Sequence, residues 1–588
     1  KRQPLSCSSR PAPPPRPSMP VSGQLNVLNL QGRRPTDVIF GVAYLILLIA
    51  TFVICMYAVA SSPTALSDLG KCVNSSASAV DEPTSVGRNN STGLIQDLVA
   101  NSGFMTVPLF GSVALGIAWM ALLRFFAKPV VYMTLILKGV ILISVGIYLY
   151  TQVKSGSGCS LTEGDCTGSF APLILCALGG LYFLFLFCLR RRIKLTAHLI
   201  EQSINVVEKH PGVFAASAAL FVAKVAVLGL CLATYIILLG RSMTPTADGG
   251  CEVNVTLGDK IMYGIVTVFL YWSVQLWLFM RFYVVSLTTG VWYYKNESLA
   301  AQEGGESDSA KVTRAPVCAS LRLAFTKSFG TIAFASLLIA ICEFLKRLAQ
   351  KERRNGGLIG CLIACCITCI LSYLEFLTRF ALTFHALTGE PFCTSGRTFL
   401  DHASRHGFTA IMVDYLAAMT LQFGAIVLGL LVTAVTVWLV DAGNHVHADN
   451  KNLVLLIGGI IAWFISSVVL VFIGGILLNV VDACYACLIL DLDHAAVSGD
   501  YRQPQIAKAV IASVNPTYVI VQPGGTAAVA QPVQPYPQTM HEQYPPQQYP
   551  SAHYVPATVA HPGHVGIAVT TAEPVRPQSG ARRLYPDV

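Results

Sequence analysis

The chain is 588 residues long, and its composition is typical of a membrane protein. Hydrophobic residues make up 54% of the chain and charged residues only 12%, which excludes a large soluble domain, since such domains average about 25% charged residues. The formal net charge of +9 does not indicate a nucleic-acid-binding protein, because Lys and Arg gather in loops beside apolar segments, as positive-inside sorting produces.

The amino-terminal residues 1–36 are rich in Pro and Arg, and we expect them to form a disordered cytosolic tail. Ten segments of about twenty apolar residues follow, each long enough as a helix to cross a hydrocarbon core about 30 Å thick. Because lipid cannot satisfy backbone hydrogen bonds, residues 37–493 are predicted to form an all-α, polytopic membrane domain. The predicted spans are 38–60, 104–126, 129–151, 170–189, 213–240, 260–290, 329–347, 358–385, 409–440 and 453–490.

Charge and glycosylation sequons predict the sidedness of these spans. Arg33 and Arg34 directly precede the first span, which predicts a cytosolic amino terminus and, over ten spans, a cytosolic carboxyl terminus. The basic loop 346–354 disagrees, because parity places it outside. Other outer loops contain Asn-x-Ser/Thr sequons, and we expect glycosylation there. The predicted glycosylation sites are Asn74, Asn89, Asn90 and Asn254.

Most of the 18 cysteines lie within or beside the spans, and their spacing predicts no metal site. Cys159 and Cys166 share one predicted outer loop, so we expect a local disulfide between them. Between the fourth and fifth spans, residues 190–207 place apolar side chains at helical spacing among basic ones. That pattern predicts an amphipathic helix on the lipid surface.

After residue 493 the composition changes to Pro, Gln, Tyr and His. We expect residues 494–588 to form a disordered cytosolic tail, since they contain too little apolar surface to fold. Pro-rich segments such as 531–537 are of the kind that SH3- or WW-type domains bind in an extended conformation. A partner of that class is therefore one expectation for the tail.

The sequence contains no nucleotide-binding, zinc-protease or serine-hydrolase motif. We therefore expect no enzymatic activity, no cofactor and no direct use of ATP. Three functions are then open: a secondary carrier, a cation channel, and a non-transporting scaffold that acts through the Pro-rich tail. A channel needs a pore-lining ring or filter, which a single copy of this chain does not contain.

Polar side chains within the spans are the candidates for a functional site, because each is costly in hydrocarbon unless it faces a partner, water or a substrate. Some lie near predicted span ends, where snorkelling to the interface explains them. Others, Lys224, Gln275 and Glu343, lack that explanation. The residues assigned to snorkelling are Lys138, Arg281 and Asp414.

The sixth span contains an aromatic cluster. Tyr271 and Trp272 precede Gln275 by four and three residues, which places a ring and the amide on one helical face. Aromatic rings attract a quaternary ammonium through their quadrupole, without a hydrogen bond. Helix packing explains the same cluster equally well, so both interpretations stay open at this point.

Three irregular motifs occur in order in the second half of the chain. They are Lys327–Lys346, which contains Phe-Gly-Thr-Ile-Ala-Phe-Ala-Ser-Leu-Leu, then Gly389–Ser395 and Val481–Asp493. Together they resemble the hallmark sequences of the choline transporter-like family, and the resemblance covers roughly residues 35–500.

The resemblance implies a carrier of choline, or of the related cation ethanolamine, in the plasma membrane or an organellar membrane, surrounded by membrane lipids. We expect ATP-independent alternating access through a cavity in the middle of the membrane. The methyl groups of the cation would contact Tyr271 and Trp272, and its polar side would lie near Gln275 or Glu343.

Two carboxylates depart from the family pattern. Glu343 stands where many relatives have Gln, and Glu375 where a basic residue is common. An extra carboxylate in the membrane favours a cationic substrate, exchanges protons, or pairs with Arg379 across one helical turn.

Overall fold

The computed structural model describes residues 33–61, 67, 69–70, 72, 103–156, 170–245, 251–298, 315–355, 357–443 and 451–498. Nearly all of these residues are helical, which confirms the predicted all-α membrane fold. The two predicted tails lie outside this part of the chain, except for residues 33–36 and 494–498.

Eleven helices and one small hairpin make up the described part of the chain, and we number them in chain order. The strands β1 (Met243–Pro245) and β2 (Cys251–Val253) pair antiparallel between α5 and α6. The helices are α1 Val38–Ser61, α2 Gly103–Gly156, α3 Phe170–Cys188, α4 Arg190–Lys209, α5 Gly212–Ser242, α6 Leu257–Ser298, α7 Pro316–Phe325, α8 Phe329–Asn355, α9 Gly357–Thr388, α10 Phe392–Ala442 and α11 Lys451–Ser498.

Eight of these helices are long and apolar enough to cross a membrane. One of them, α2, would be about 80 Å long if it were straight, far more than one hydrocarbon thickness. It breaks instead at Phe126, whose φ of −125° and ψ of 28° are not helical, and Pro129 follows shortly after the break. With α2 counted as two spans and the apolar helix α3 included, ten segments match the ten predicted spans.

A bend of 73° separates α3 from α4, the helix predicted to be amphipathic. The prediction that the apolar face of α4 rests on lipid is wrong. That face is buried against α2, α10 and α11 through Ile193, Ile200 and Val207. Periodicity identifies an apolar face without saying whether lipid or protein covers it. Helix α4 therefore belongs to the protein core at the end of the bundle where α3 ends and α5 begins.

The most completely buried part of the fold lies at that same end. All residues in 282–291 of α6 and 479–491 of α11 are buried. Two tyrosines connect these helices: the Tyr293 hydroxyl donates to Asp491 Oδ2 (3.3 Å), and the Tyr294 hydroxyl donates to the Cys487 carbonyl oxygen (3.1 Å). Elsewhere the bundle exposes many large apolar side chains, as expected of helices that face lipid.

The last residues before α1 are ordered, so the predicted disorder of the amino-terminal tail does not extend to residues 33–36. Arg33 is only 8% exposed and donates hydrogen bonds to the Tyr283 hydroxyl (3.1 Å) and the Ala386 carbonyl oxygen (2.7 Å). The sequence rule treats an arginine beside a span as a charge in water. Here buried acceptors on α6 and α9 hold it instead.

A disulfide connects Cys72 to Cys251 of β2 and thereby ties the chain after α1 to the hairpin. Sequence spacing did not predict it, because 179 residues separate the two cysteines. The predicted Cys159–Cys166 disulfide lies outside the described residues. Asn254 directly follows β2 and is exposed, and its glycosylation stays a prediction. The predicted sites outside the described residues are Asn74, Asn89 and Asn90.

Candidate functional site

Trp272, a predicted binding residue, lies buried between α1, α6 and α8. It is 3% exposed, and its indole N–H lies 3.0 Å from the Ala333 carbonyl oxygen and 3.1 Å from the Ser336 hydroxyl. The ring of Tyr44 packs edge-on against it, with 5.5 Å between the centroids. Trp272 therefore joins three helices, and contact between its ring and a substrate stays a prediction.

Tyr271 faces the carboxyl-terminal half of α8, where its ring contacts a cation. The guanidinium carbon of Arg347 lies 5.0 Å from the ring centroid, within the range of a cation–π interaction. Helices α6 and α8 run antiparallel, since residues further along α6 contact residues earlier in α8. Gln275 and Glu343 therefore lie one turn from this contact in the same direction along the interface. Tyr271 and Trp272 thus both contact α8, Tyr271 through Arg347 and Trp272 through Ala333 and Ser336.

Glu343 belongs to a cluster of three charged side chains between α8 and α9. The Lys346 Nζ lies 2.5 Å from Glu375 Oε1 and 3.7 Å from Glu343 Oε1. Two carboxylates therefore share one ammonium. The Glu375 pair is the closer and more buried of the two, so it takes most of the charge of Lys346.

One helical turn along α9 from Glu375, a second cluster joins α9, α10 and α11. The Arg379 guanidinium lies 2.9 Å from Asp414 Oδ2 and 3.9 Å from Asp482 Oδ2. Asp482 is 1% exposed, and neither of its carboxylate oxygens accepts a hydrogen bond. Again two carboxylates share one cation, and the more deeply buried carboxylate is the less well satisfied.

The two clusters are continuous, because Glu375 and Arg379 are four residues apart on α9 and interact electrostatically. We refer to the six side chains as the carboxylate string. Its four carboxylates outnumber its two cations by two, so the formal charge is −2 when all six groups are ionised. The low-dielectric interior of a membrane protein makes such an excess costly unless a cation or protons offset it. The members of the string are Glu343, Lys346, Glu375, Arg379, Asp414 and Asp482.

Three sequence interpretations change here. Asp414 does not snorkel to the interface, because it is paired with Arg379 inside the bundle. Glu375 pairs with Lys346 on the neighbouring helix and not with Arg379 on its own. Lys346 is not part of a basic loop, since its side chain is inside the bundle and α8 continues to Asn355. Within this cluster, only the Glu343–Lys346 pair has a local sequence signal, since these two residues are three positions apart on one helix.

The recognised motifs meet around the amino-terminal segment. A side chain at Gly330 would overlap the backbone oxygen of Asp37, and Gly389 adopts a φ of +78° beside Arg33. The Asp37 carboxylate accepts hydrogen bonds from the Thr331 hydroxyl (2.8 Å) and the Phe392 backbone N–H (3.1 Å). The first two motifs therefore hold the start of α1, while the third contributes Asp482 to the string.

No group of side chains able to hold a metal ion occurs in the part of the chain that the structure describes. A family model described as plasma-membrane choline transporter matches residues 173–493.

Curated relatives also match this chain over part of its length. A CTL-like protein of Dictyostelium discoideum is 24% identical over 357 residues, which are 57% of this chain and 62% of the relative. Protein PNS1 of Cryptococcus neoformans is 27% identical over 341 residues, 54% of this chain and 56% of the relative. Protein PNS1 of Saccharomyces cerevisiae is 26% identical over 251 residues, 40% of this chain and 44% of the relative. The chain thus spans about half the length of the curated relatives that it matches.

Proposed function

We propose that this chain, which belongs to the choline transporter-like family, carries choline or a related small organic cation such as ethanolamine across a membrane. Transport is by alternating access and uses no ATP. Membership of a transporter family and the multi-pass helical fold support the general class. The observation that carries the choice of substrate is the excess of two carboxylates in the carboxylate string.

The site proposed for the cation lies at the α6–α8 end of the string. Arg347 is an exposed side chain that rests on the Tyr271 ring, one turn from Glu343. A quaternary ammonium is attracted to the same ring face, so it competes with Arg347 for Tyr271. This attraction suits a quaternary ammonium because it requires no hydrogen bond. The Glu343 carboxylate then supplies the counter-charge, Gln275 contacts the hydroxyl of the substrate, and Trp272 positions α6.

The proposed sidedness has both termini in the cytosol and the hairpin end in an oxidising compartment, as in the plasma membrane. The Cys72–Cys251 disulfide at that end supports it, because disulfides persist outside the cytosol. The exposed sequon residue Asn254 lies at the same end.

Uptake of radiolabelled choline and ethanolamine into proteoliposomes that contain the full chain tests the proposal. Imposed proton and sodium gradients identify the coupling ion in the same assay. We expect Glu343→Gln to lower choline uptake by about tenfold or more, as for the loss of one charged contact. The matched control is Glu208→Gln, which removes an exposed carboxylate that pairs with Arg124 on the surface, and it should leave uptake unchanged. Full uptake by Glu343→Gln, or no uptake by the unaltered chain, would contradict the proposal.

A further inference from the structure

The carboxylate string has more carboxylates than cations, whereas two other charged side chains in the spans are cations without a carboxylate partner among the described residues. Lys224 of α5 and Arg281 of α6 make no ion pair or hydrogen bond within the described part of the chain. The Arg281 Nε is buried and has no acceptor. Snorkelling into water does not explain a nitrogen that is already buried.

Arg281 contacts one phenylalanine of α11, and Lys224 lies one turn from a residue that contacts the same phenylalanine. The Arg281 guanidinium carbon lies 5.7 Å from the centroid of the Phe472 ring, and the Phe221 ring of α5 lies 5.6 Å from the same centroid. Phe221 and Lys224 are three residues apart and share a face of α5. The two charges are close enough to repel each other. We call this place the cationic cleft; it lies between α5 and α11, with α6 as its floor.

The wall formed by α11 leaves room beside the guanidinium. Gly475 has no side chain, and a carbon added there would lie 3.5 Å from Arg281 Nη2. The α11 side of the cleft therefore has space beside the Arg281 guanidinium.

The chemistry of this pair indicates an anionic ligand. Lys224 is able to lose its proton, whereas an arginine stays charged in proteins, so a positive charge persists in the cleft. The planar fork of a guanidinium matches the oxygens of a phosphate group in two parallel hydrogen bonds, and an adjacent ammonium adds a third. Two repelling cations that lack a carboxylate are stabilised together by one such group.

The surroundings of the cleft resemble a lipid-facing surface. Val222 and Val225 on α5 and Val471 on α11 are at least half exposed and lie beside the cleft residues. Arg281 is two residues before Tyr283, which bonds Arg33 just ahead of α1, so the cleft lies near the level at which α1 begins. That is the depth of lipid head groups, where basic pockets between helices bind phosphates.

We propose that the cationic cleft binds a phosphate group, and that the exposed apolar side chains beside it favour the phosphate of an anionic phospholipid over a free one. The test measures the unfolding temperature of the purified full chain in a neutral detergent. One arm adds phosphatidylglycerol, a second adds inorganic phosphate, and sodium chloride at equal ionic strength is the reference.

We expect phosphatidylglycerol to raise the unfolding temperature saturably, and Lys224→Gln and Arg281→Gln each to weaken its apparent affinity by about tenfold or more. Lys138→Gln is the matched control, because among the described residues its ammonium hydrogen-bonds only the Met419 sulfur. Lys224→Arg keeps the charge and should keep the effect, so that a loss in the Gln variants is not mistaken for misfolding. A rise with phosphatidylglycerol alone identifies a lipid, and a rise with both additives identifies the phosphate as sufficient. Equal affinities in all variants, or no saturable rise with either additive, would overturn the proposal.

Discussion

The carboxylate string and the cationic cleft hold their charges in opposite ways. In the string, each cation is shared by two carboxylates, with distances of 2.5 and 3.7 Å at Lys346 and 2.9 and 3.9 Å at Arg379. In the cleft, Lys224 and Arg281 share a place without any carboxylate among the described residues. Both arrangements are unbalanced within the membrane, but only the string is held together by its own ion pairs.

This difference separates two roles for intramembrane charge. A buried ion pair that loses one partner leaves an uncompensated charge, so removal of a cation from the string should be costly. Removal of a cation from the cleft leaves no orphaned carboxylate among the residues that the structure describes. We therefore expect the same substitution, Arg→Gln, to have different effects in the two places. The loss of stability that it causes measures how strongly each arginine is stabilised by other groups of the protein.

The largest effect is expected for Arg379→Gln. This change leaves Asp414 and the fully buried Asp482 without their cation, and breaking a buried pair in this way costs about 3–5 kcal/mol. The unfolding temperature and the yield of monodisperse protein in detergent report the loss. The double variant Arg379→Gln/Asp482→Asn removes one of the stranded carboxylates and should recover a large part of both. If the double variant is no better than the single one, the pairing with Asp482 contributes nothing to stability.

Glu375→Gln is expected to have a smaller effect within the same string. Lys346 then keeps Glu343, so the loss is that of one charge-assisted contact, about 1–3 kcal/mol. Glu343→Gln removes the longer and more exposed of the two contacts, and we expect it to cost less than about 1 kcal/mol. Unfolding of the two variants in mixed micelles gives the comparison. A larger loss for Glu343→Gln would mean that Glu343 carries the main pair and that the 2.5 Å contact is not the dominant one.

Local pattern predicted the helices well and their partners poorly. The ten spans follow from segment length, and Pro129 marks the region where α2 breaks into two of them. The amphipathic pattern of 190–207 correctly gives the helix α4. Which surface that helix covers depends on α2, α10 and α11, and no short stretch of sequence contains that information.

The candidate site shows the same division. Glu343 and Tyr271 were recognisable from the cost of a charge in lipid and the affinity of a ring for a cation, and the structure places them on facing helices. Lys346–Glu375 and Arg379–Asp482 join residues 29 and 103 positions apart, so only the packing of α8, α9 and α11 brings them together. The hydrogen bonds of Arg33 depend on packing in the same way, since its acceptors are on α6 and α9.

The smallest effect is expected for Arg281→Gln, measured in a neutral detergent without anionic lipid. The change removes a charge that no carboxylate of the described residues neutralises, and it keeps part of the apolar stem of the side chain. Relief of the repulsion with Lys224 therefore offsets the lost contact with Phe472. We expect stability within about 1 kcal/mol of the unaltered chain, against the large loss for Arg379→Gln. A loss as large as that of Arg379→Gln would mean that the protein itself supplies a counter-charge to Arg281. In that case the cleft would need no ligand. The cations of both regions would then be neutralised by carboxylates of the protein, and the two regions would differ only in the distances of these pairs.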